Sequence, residues 1–370
     1  MVFVEIFAKF TAGNFSLYSY QFNNMSSKYF YSLGLLLGSI LFSNCTPGNK
    51  SASSPENLDS YLFVYFPSNE NENLCYALSD DGYNFTPLNG GNIVMSSDTV
   101  TVKHGMRDPF ILRGNDGRFF MVATDMKCAE GWDSNRGIVM LSSDDLVNWN
   151  HSTVHFPDRF PDWKNVIRVW APEVIFDPEF ENPDGSKGRN MVYFSLLTND
   201  GKCEYDKIYY CYANDDFTDL VTEPVHLFDH GAATIDGDII YDNKSGLYHL
   251  IYKNEVDSNL NQVTTCRLTA CPGELPGSQW SKPSGTLQQT TVPVEGAGMY
   301  KLIDSDKWIL MYDCYCDGYY QFCSTDDFET FTLEAQTETT GAFTPRHGTV
   351  IPITAQEKAR LFKAFPMVDK

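Results

Sequence analysis

From Tyr61 to Ile353 the chain alternates short apolar runs with clusters of Gly, Asp and Asn. Representative runs are Phe119-Phe120-Met121-Val122-Ala123-Thr124, Met191-Val192-Tyr193-Phe194-Ser195-Leu196, Leu247-Tyr248-His249-Leu250-Ile251-Tyr252 and Trp308-Ile309-Leu310-Met311-Tyr312. Their β-branched and aromatic content, and the turn-forming residues that bound them, predict β-strands. Further short runs, Ile138–Leu141 and Ile208–Tyr212, follow at the pace of neighbouring strands. No long segment with helical periodicity interrupts this region, so the expected class is all-β.

Two marks recur along these strands in a fixed order. The first is an acid just ahead of an apolar run: Asp108, Glu173, Asp236 and Glu295, at intervals of 65, 63 and 59 residues. The second falls later in each unit, as Ser143-Asp144-Asp145-Leu146, Asn214-Asp215-Asp216-Phe217 and Thr325-Asp326-Asp327-Phe328, with an earlier relative in Ser79-Asp80-Asp81-Gly82 and a degraded form near Gly277–Trp280. Short polar residues turn the chain there, and an apolar residue packs the strand that follows. A repeat of roughly sixty residues accommodates four short strands, the blade of a propeller. Units begin near Tyr61, Asp108, Glu173, Asp236 and Glu295, and the run Thr349–Ile353 returns to complete the first. The expectation is a five-bladed β-propeller with four-stranded antiparallel blades around a central channel. A β-sandwich would give no reason for both marks to recur in one order.

The first sixty residues are of another kind. Tyr29–Phe42 is mostly apolar, is preceded by Lys28 and is followed by Cys45 and a Ser/Asn/Pro-rich stretch. Residues 1–45 therefore read as a signal segment, with Met25 as an alternative start and Cys45 as a lipidation site; residues 46–59 read as a linker and 60–370 as the propeller. An exported, outer-membrane-anchored lipoprotein is expected, touching the membrane only through its lipid, with ordinary secretion as the rival.

Composition fits an exported, single-domain protein that handles carbohydrate, and a monomer is expected. Aromatic residues make up 14% of the chain, including 21 Tyr and 26 Phe, and sugars are held by aromatic faces together with carboxylates. A formal net charge of −21 argues against nucleic acid, whose phosphates it would repel. Ten cysteines, one of them Cys45, leave an odd number for pairing; Cys203/Cys211 and Cys266/Cys271 are candidate bridges. Cys314 and Cys316 have no neighbouring histidines and do not read as a zinc site.

Innermost strands of propeller blades line the channel, so acids at the starts of successive blades converge. Glycoside hydrolysis with inversion needs a carboxylate to deprotonate water and a protonated carboxyl to protonate the leaving oxygen, roughly 6.5–9.5 Å apart. A third acid near the proton donor raises its pKa by like-charge repulsion.

The ordered segments Arg107-Asp108-Pro109-Phe110-Ile111, Trp170-Ala171-Pro172-Glu173-Val174, Ile235-Asp236-Gly237-Asp238, Val294-Glu295-Gly296 and Arg346-His347-Gly348 resemble the signature of glycoside hydrolase family 43 over about residues 60–355. The resemblance implies an inverting hydrolase of arabinose-, xylose- or galactose-containing glycans, with Asp108 as general base, Asp236 as pKa modulator and Glu295 as general acid. Asp238 competes with Asp236, two residues away on one strand. His347 resembles the family histidine that faces the channel centre, where members hold calcium or another cation mainly through water; the chemistry itself requires no cofactor.

Around the acids, Trp170, Phe110, Glu173, Ser195 and Arg136 are candidate sugar contacts. His104 and Asp125 are further candidates at blade edges, and Glu173 reads first as a residue that positions neighbours or bonds a blade backbone, with sugar contact as the alternative. Arg346 is expected either to donate to sugar hydroxyls or to hold Asp108 ionised. The substrate expectation is an oligo- or polysaccharide with a terminal furanose, first an α-L-arabinofuranoside, with β-D-galactofuranosides, β-xylosides and β-galactosides as alternatives. The loops Lys127–Gly137 and Arg159–Arg168 favour exo action by closing the funnel. A sialidase-like propeller would need an arginine cluster, and a fructan hydrolase would carry Asn where Arg107 stands. A non-catalytic glycan-binding lipoprotein is the remaining alternative, although nothing would then require all three acids.

Overall fold

A computed structural model describes residues 57–255, 262–268 (backbone only) and 280–367. The signal segment, Cys45 and most of the linker lie outside the described residues, as do Cys271 and the turn mark at 277–279.

The described strands form five antiparallel sheets. The first contains β1 (Leu58–Tyr65), β2 (Cys75–Ser79) and β3 (Thr86–Pro87); the second contains β4 (Met106–Arg113), β5 (Phe119–Asp125), β6 (Gly137–Ser143) and β7 (Asn150–His155). The third holds β8 (Val166–Glu181), β9 (Lys187–Thr198), β10 (Lys207–Tyr212) and β11 (Val225–Phe228). The fourth has three described strands, β12 (Thr234–Asp242), β13 (Leu247–Asn254) and β14 (Gln262–Leu268). The fifth holds β15 (Glu295–Lys301), β16 (Trp308–Cys314), β17 (Tyr319–Thr325) and β18 (Thr332–Glu338). Finally β19 (Gly348–Thr354) returns antiparallel to β1, pairing Tyr65 with Gly348 and Phe63 with Val350. The strands β4, β8, β12, β15 and β19 touch one another in that cyclic order. The molecule is an all-β propeller, and these strands form its inner ring.

Apolar cores fill the spaces between adjacent sheets. Along β1, Leu62 and Val64 pack toward β5 and β6, whereas Tyr61, Phe63 and Tyr65 pack toward β16 and β17. Successive strand residues point to opposite faces, so a strand buried on both faces reads as a continuous apolar run. Each fully buried large apolar side chain contributes about 1.5–3 kcal/mol.

The second sequence mark is a side-chain-stapled turn leading to an outer strand. Ser143 Oγ accepts from the amides of Asp145 and Leu146, and Asp145 Oδ1 accepts from those of Val147 and Asn148 at 2.9 and 2.7 Å. Asp81 and Asp327 repeat these bonds. The following residue takes positive φ, 82° at Gly82, 64° at Leu146, 56° at Phe217 and 58° at Phe328.

One element lies beyond the strand pattern, and one expectation changes. A helix, Ala355–Ala364, follows β19; its capping box joins Thr354 and Glu357, and Glu357 also accepts two hydrogen bonds from Arg113 of β4 at 2.7 Å each. Its signal was the Thr-x-x-Glu start, too short a pattern to stand out as periodicity. Cys203 and Cys211 are separate buried thiols rather than a bridge, and Cys203 Sγ lies 3.1 Å from the Tyr209 hydroxyl.

Candidate active site

Four inner strands carry the same defect. Between Arg107 and Phe110, Trp170 and Glu173, Ile235 and Asp238, and Glu295 and Gly298, three steps along the inner strand face two on its neighbour. Each is a β-bulge, which re-aims the side chains around it. The residue that opens each bulge is left-handed: Asp108 at φ 51°, Ala171 at 42°, Asp236 at 51° and Gly296 at 60°. The four acids are thus not in one structural phase, as their spacing suggested. Asp108 and Asp236 open their bulges, Glu295 stands one residue before and Glu173 two residues after.

The neighbouring strand supplies a polar partner at the equivalent position in each sheet. Thr124 faces Arg107, Ser195 faces Trp170, Lys253 faces Ile235 and Asp313 faces Glu295. Thr124 Oγ1 donates to Asp108 Oδ2 at 2.8 Å and accepts from the Ala171 amide at 2.9 Å, tying two inner strands together. Asp236 Oδ2 accepts from the Gly296 amide at 3.0 Å. Glu295 Oε1 accepts from Arg346 Nη2 at 2.6 Å, and Arg346 Nε donates to Asp313 Oδ2 at 2.7 Å. Lys253 Nζ lies 3.5 Å from Glu295 Oε2 and 3.3 Å from Glu255 Oε1.

His347 enters from the residue before β19. Its Nδ1 is 3.5 Å from Asp108 Oδ1 and 3.9 Å from Asp236 Oδ1. Gly296 makes room for it, since a Cβ there would sit 2.5 Å from His347 Cγ. Burial disfavours charge on this imidazole, but Asp236, Asp108 and Glu295 outweigh it and raise its pKa to about 9. Burial likewise opposes charge on Asp108, yet His347, Arg107 and Thr124 hold its carboxyl below the usual range. Asp236 moves the other way, raised by burial despite His347 and Lys253. Two like side chains at equivalent bulge positions are therefore driven apart in proton affinity.

Asp108, Asp236, Glu295, His347, Trp170 and Trp132 line one cavity of about 380 Å³. Its basic side chains are matched: Arg107 pairs with Glu72 at 3.0 Å, Arg168 with Asp206 at 2.6 Å and Asp133 at 2.9 Å, and Lys253 with Glu255 and Glu295. A larger cavity of about 600 Å³, lined mainly by apolar residues of the same inner strands beyond the bulges, touches none of the three acids. The convergence of acids selects the smaller one.

The sequence matches, over residues 56–359, the family-43-related glycosyl hydrolase family described as "Probable glycosyl hydrolase domain". The chain belongs to this glycosyl hydrolase family and is a glycosidase. No curated protein matches it. Its fold is similar to a family-43 β-1,3-galactosidase, at 11% identity and a TM-score of 0.51 over 76% of this chain and 57% of that one. A thermostable family-43 glycoside hydrolase gives 19% identity and a TM-score of 0.47 over 65% and 75% of the two chains. A GH43_1 enzyme of Xanthomonas citri complexed with xylotriose gives 14% and 0.46 over 62% and 73%.

Within this glycosidase, several candidate positions fall away from the cavity. Phe110 lines the larger cavity instead, because the bulge turns it away from Asp108. Arg136 is exposed outside the cavity lining, as is His104, which stands 3.5 Å from Asp98. Asp125 is buried and accepts from the Lys103 amide at 2.8 Å. Ser195 is buried behind Trp170, and neither its Oγ nor Trp170 Nε1 has a hydrogen-bond partner. Arg346 is taken up by Glu295 and Asp313, leaving the partnership with Asp108 to His347. Glu173 is buried outside the cavity lining, accepts from Tyr193 Oη at 2.8 Å and adjoins Asp238, whose Oδ2 accepts from the Met299 amide at 2.6 Å. The choice of Asp236 over Asp238 agrees with this placement, as Asp236 alone of the two lines the cavity of the acids.

A directly held cation does not fit these residues. Among the described residues no group of three or more His, Cys, Asp or Glu side chains is arranged to hold a metal directly. Sequence reasoning missed Lys253, Thr124, Asp313 and Trp132. The first three had a signal: each is the polar residue that ends an apolar run on a second strand.

Proposed function

We propose that this glycosidase removes a neutral terminal sugar from a glycan by a single displacement with inversion. Asp108 takes the proton from the attacking water, Glu295 protonates the leaving oxygen, and Asp236, held by the Gly296 amide between them, orients the pair. The observation that carries this reading is the convergence of Asp108, Asp236 and Glu295 on one cavity with His347 Nδ1 3.5 Å from Asp108 Oδ1, and the lowered Asp108 and raised Asp236 carboxyls agree with it. A base must be ionised before reaction, which the imidazolium of His347 favours.

Neutrality of the sugar follows from the matched cations, since an acidic sugar would have to break an existing ion pair to find a partner. The small cavity suits a furanose, and α-L-arabinofuranosides are the first substrates to test, with β-D-galactofuranosides, β-xylosides and β-galactosides beside them. The five sheets read as five blades, the described three-stranded sheet being one of them. We place the enzyme outside the cytoplasm as a lipoprotein acting on oligo- or polysaccharide.

A screen of aryl furanosides and pyranosides, with the first-formed anomer followed by proton NMR, tests this reading. Release of a single sugar with inverted configuration is expected. Retention would overturn the single displacement, and absence of hydrolysis across the screen would favour a glycan-binding role.

A further inference from the structure

The catalytic cavity has a closed end and an open end. His347 and Asp236 are 7% and 6% exposed, whereas Trp132, which lines the same cavity, is 51% exposed. A terminal sugar reaching the acids must therefore extend the remainder of its glycan past Trp132.

Trp132 is held as a fixed platform. The Arg107 guanidinium lies 5.4 Å from its ring centroid and is itself stacked on Phe66 at 4.5 Å. Trp170 meets the Trp132 ring edge-on, with centroids 6.3 Å apart and planes at 81°, and Arg168 covers Trp170 at 3.9 Å. The loop that carries Trp132 is fastened on its C-terminal side, where Asp133 pairs with Arg168 at 2.9 Å and Asn135 Nδ2 donates to the Val169 carbonyl. An exposed tryptophan with its orientation already set pays little ordering entropy on binding. Half-exposed indole that the surrounding packing does not bury is surface available to an apolar sugar face.

We propose that Trp132 forms the binding site for the first sugar ring on the leaving-group side of the scissile bond, stacking a furanose or pyranose ring at the cavity mouth. This rests on the reading of the cavity as a catalytic site for terminal sugars. It gives the enzyme a preference for oligosaccharides over simple glycosides of the same terminal sugar. The structure assigns to Trp170 and the acids the terminal ring, and to Trp132 the ring that departs.

The test compares wild type with Trp132→Ala and Trp132→Phe on two substrates of the same terminal sugar: the glycosyl fluoride, which places no ring on the leaving-group side, and the most active of arabinotriose, xylotriose and β-1,3-galactotriose. Trp132→Ala is expected to lower kcat/KM about tenfold more on the trisaccharide than on the fluoride, while Trp132→Phe keeps most of the activity on both. Equal loss on both substrates would show that Trp132 merely supports the cavity, and no loss on the trisaccharide would show that no ring stacks there; either overturns the proposal. Calorimetric titration of the same trisaccharide into Asp108→Asn protein, with and without Trp132→Ala, reads the contact without hydrolysis. Binding weakened by Trp132→Ala supports the site even if turnover is absent, so failure of the stacking site and failure of the catalytic reading are distinguishable. Unchanged binding, or none, counts against the stacking site.

Discussion

Arg346 Nη2 stands 2.6 Å from Oε1 of Glu295, and the same guanidinium reaches behind it to Asp313. The Asp313 side chain is 1% exposed, so Arg346 is the cation that makes its burial tolerable. Removing one member of a buried ion pair leaves the other uncompensated, at a cost of about 3–5 kcal/mol. Arg346→Met is expected to lower unfolding stability by that order, and Arg346→Met/Asp313→Asn to recover at least half of it. Urea unfolding at neutral pH measures both, and equal stability of single and double variants would show that Asp313 does not depend on Arg346.

His347 makes the fold sensitive to alkali. Its pKa rises from 6.5 to about 9 on folding, so the folded state retains a proton that the unfolded chain gives up. The resulting stabilisation, about 3 kcal/mol, is fully present below pH 6.5 and is lost as pH rises through 9. The stability difference between wild type and His347→Gln should therefore be largest near pH 6 and shrink toward pH 10, as read from urea unfolding at each pH. A difference that does not change with pH would place the imidazole outside this charge network.

Glu173 has a different pH signature. Burial raises its carboxyl well above 4.5, with the neighbouring Asp238 adding to the effect. Burial also raises Asp238 to about 7, against the Met299 amide hydrogen bond. A proton on Glu173 can be donated to Asp238 Oδ1, which otherwise has no hydrogen-bond partner. The folded state then holds a proton that the unfolded chain has lost above pH 4.5, so this acid costs stability increasingly as pH rises. Glutamine reproduces the neutral, donating form. Glu173→Gln is expected to match wild type within about 1 kcal/mol near pH 5 and to gain on it by up to about 1.4 kcal/mol per pH unit above that. Thermal unfolding across pH 5–9 checks the slope.

Gly296 is where backbone and site meet. Any side chain there faces both a φ of 60° and the His347 ring. Gly296→Ala should displace His347 from Asp108 and Asp236 and lower kcat/KM by about 10²-fold, the usual consequence of moving a reacting group by an ångström. Steady-state kinetics on an aryl glycoside gives the value; an unchanged rate would mean that His347 has no part in arranging the acids.

Much of this arrangement was legible in the amino-acid pattern, and the exceptions share a cause. Apolar runs and Asp-Asp turns marked the strands because both are local. Asp108, Asp236 and Glu295 stood out through their immediate neighbours. Their relative phase did not, because a bulge inserts one residue into the alternation without any fixed sequence sign: Pro109 and Pro172 fill two of them, Gly237 and Ala297 the others. Phe110 was misassigned for this reason, since a one-residue shift moves a side chain to another level of the channel. Trp132 and Arg136 lie in one loop, and only tertiary contacts decide which of them faces the cavity.

The account stands most directly on the division of labour between Asp108 and Glu295. Hydrolysis rates of wild type, Asp108→Asn and Glu295→Gln should be measured on the best aryl glycoside and on the natural-linkage trisaccharide of the same terminal sugar, with circular dichroism confirming that each variant is folded. Both substitutions are expected to reduce trisaccharide hydrolysis by about 10²–10⁴-fold, and Glu295→Gln to be less harmful on the aryl glycoside, whose leaving group needs less protonation. Wild-type rates in either folded variant would contradict the assignment.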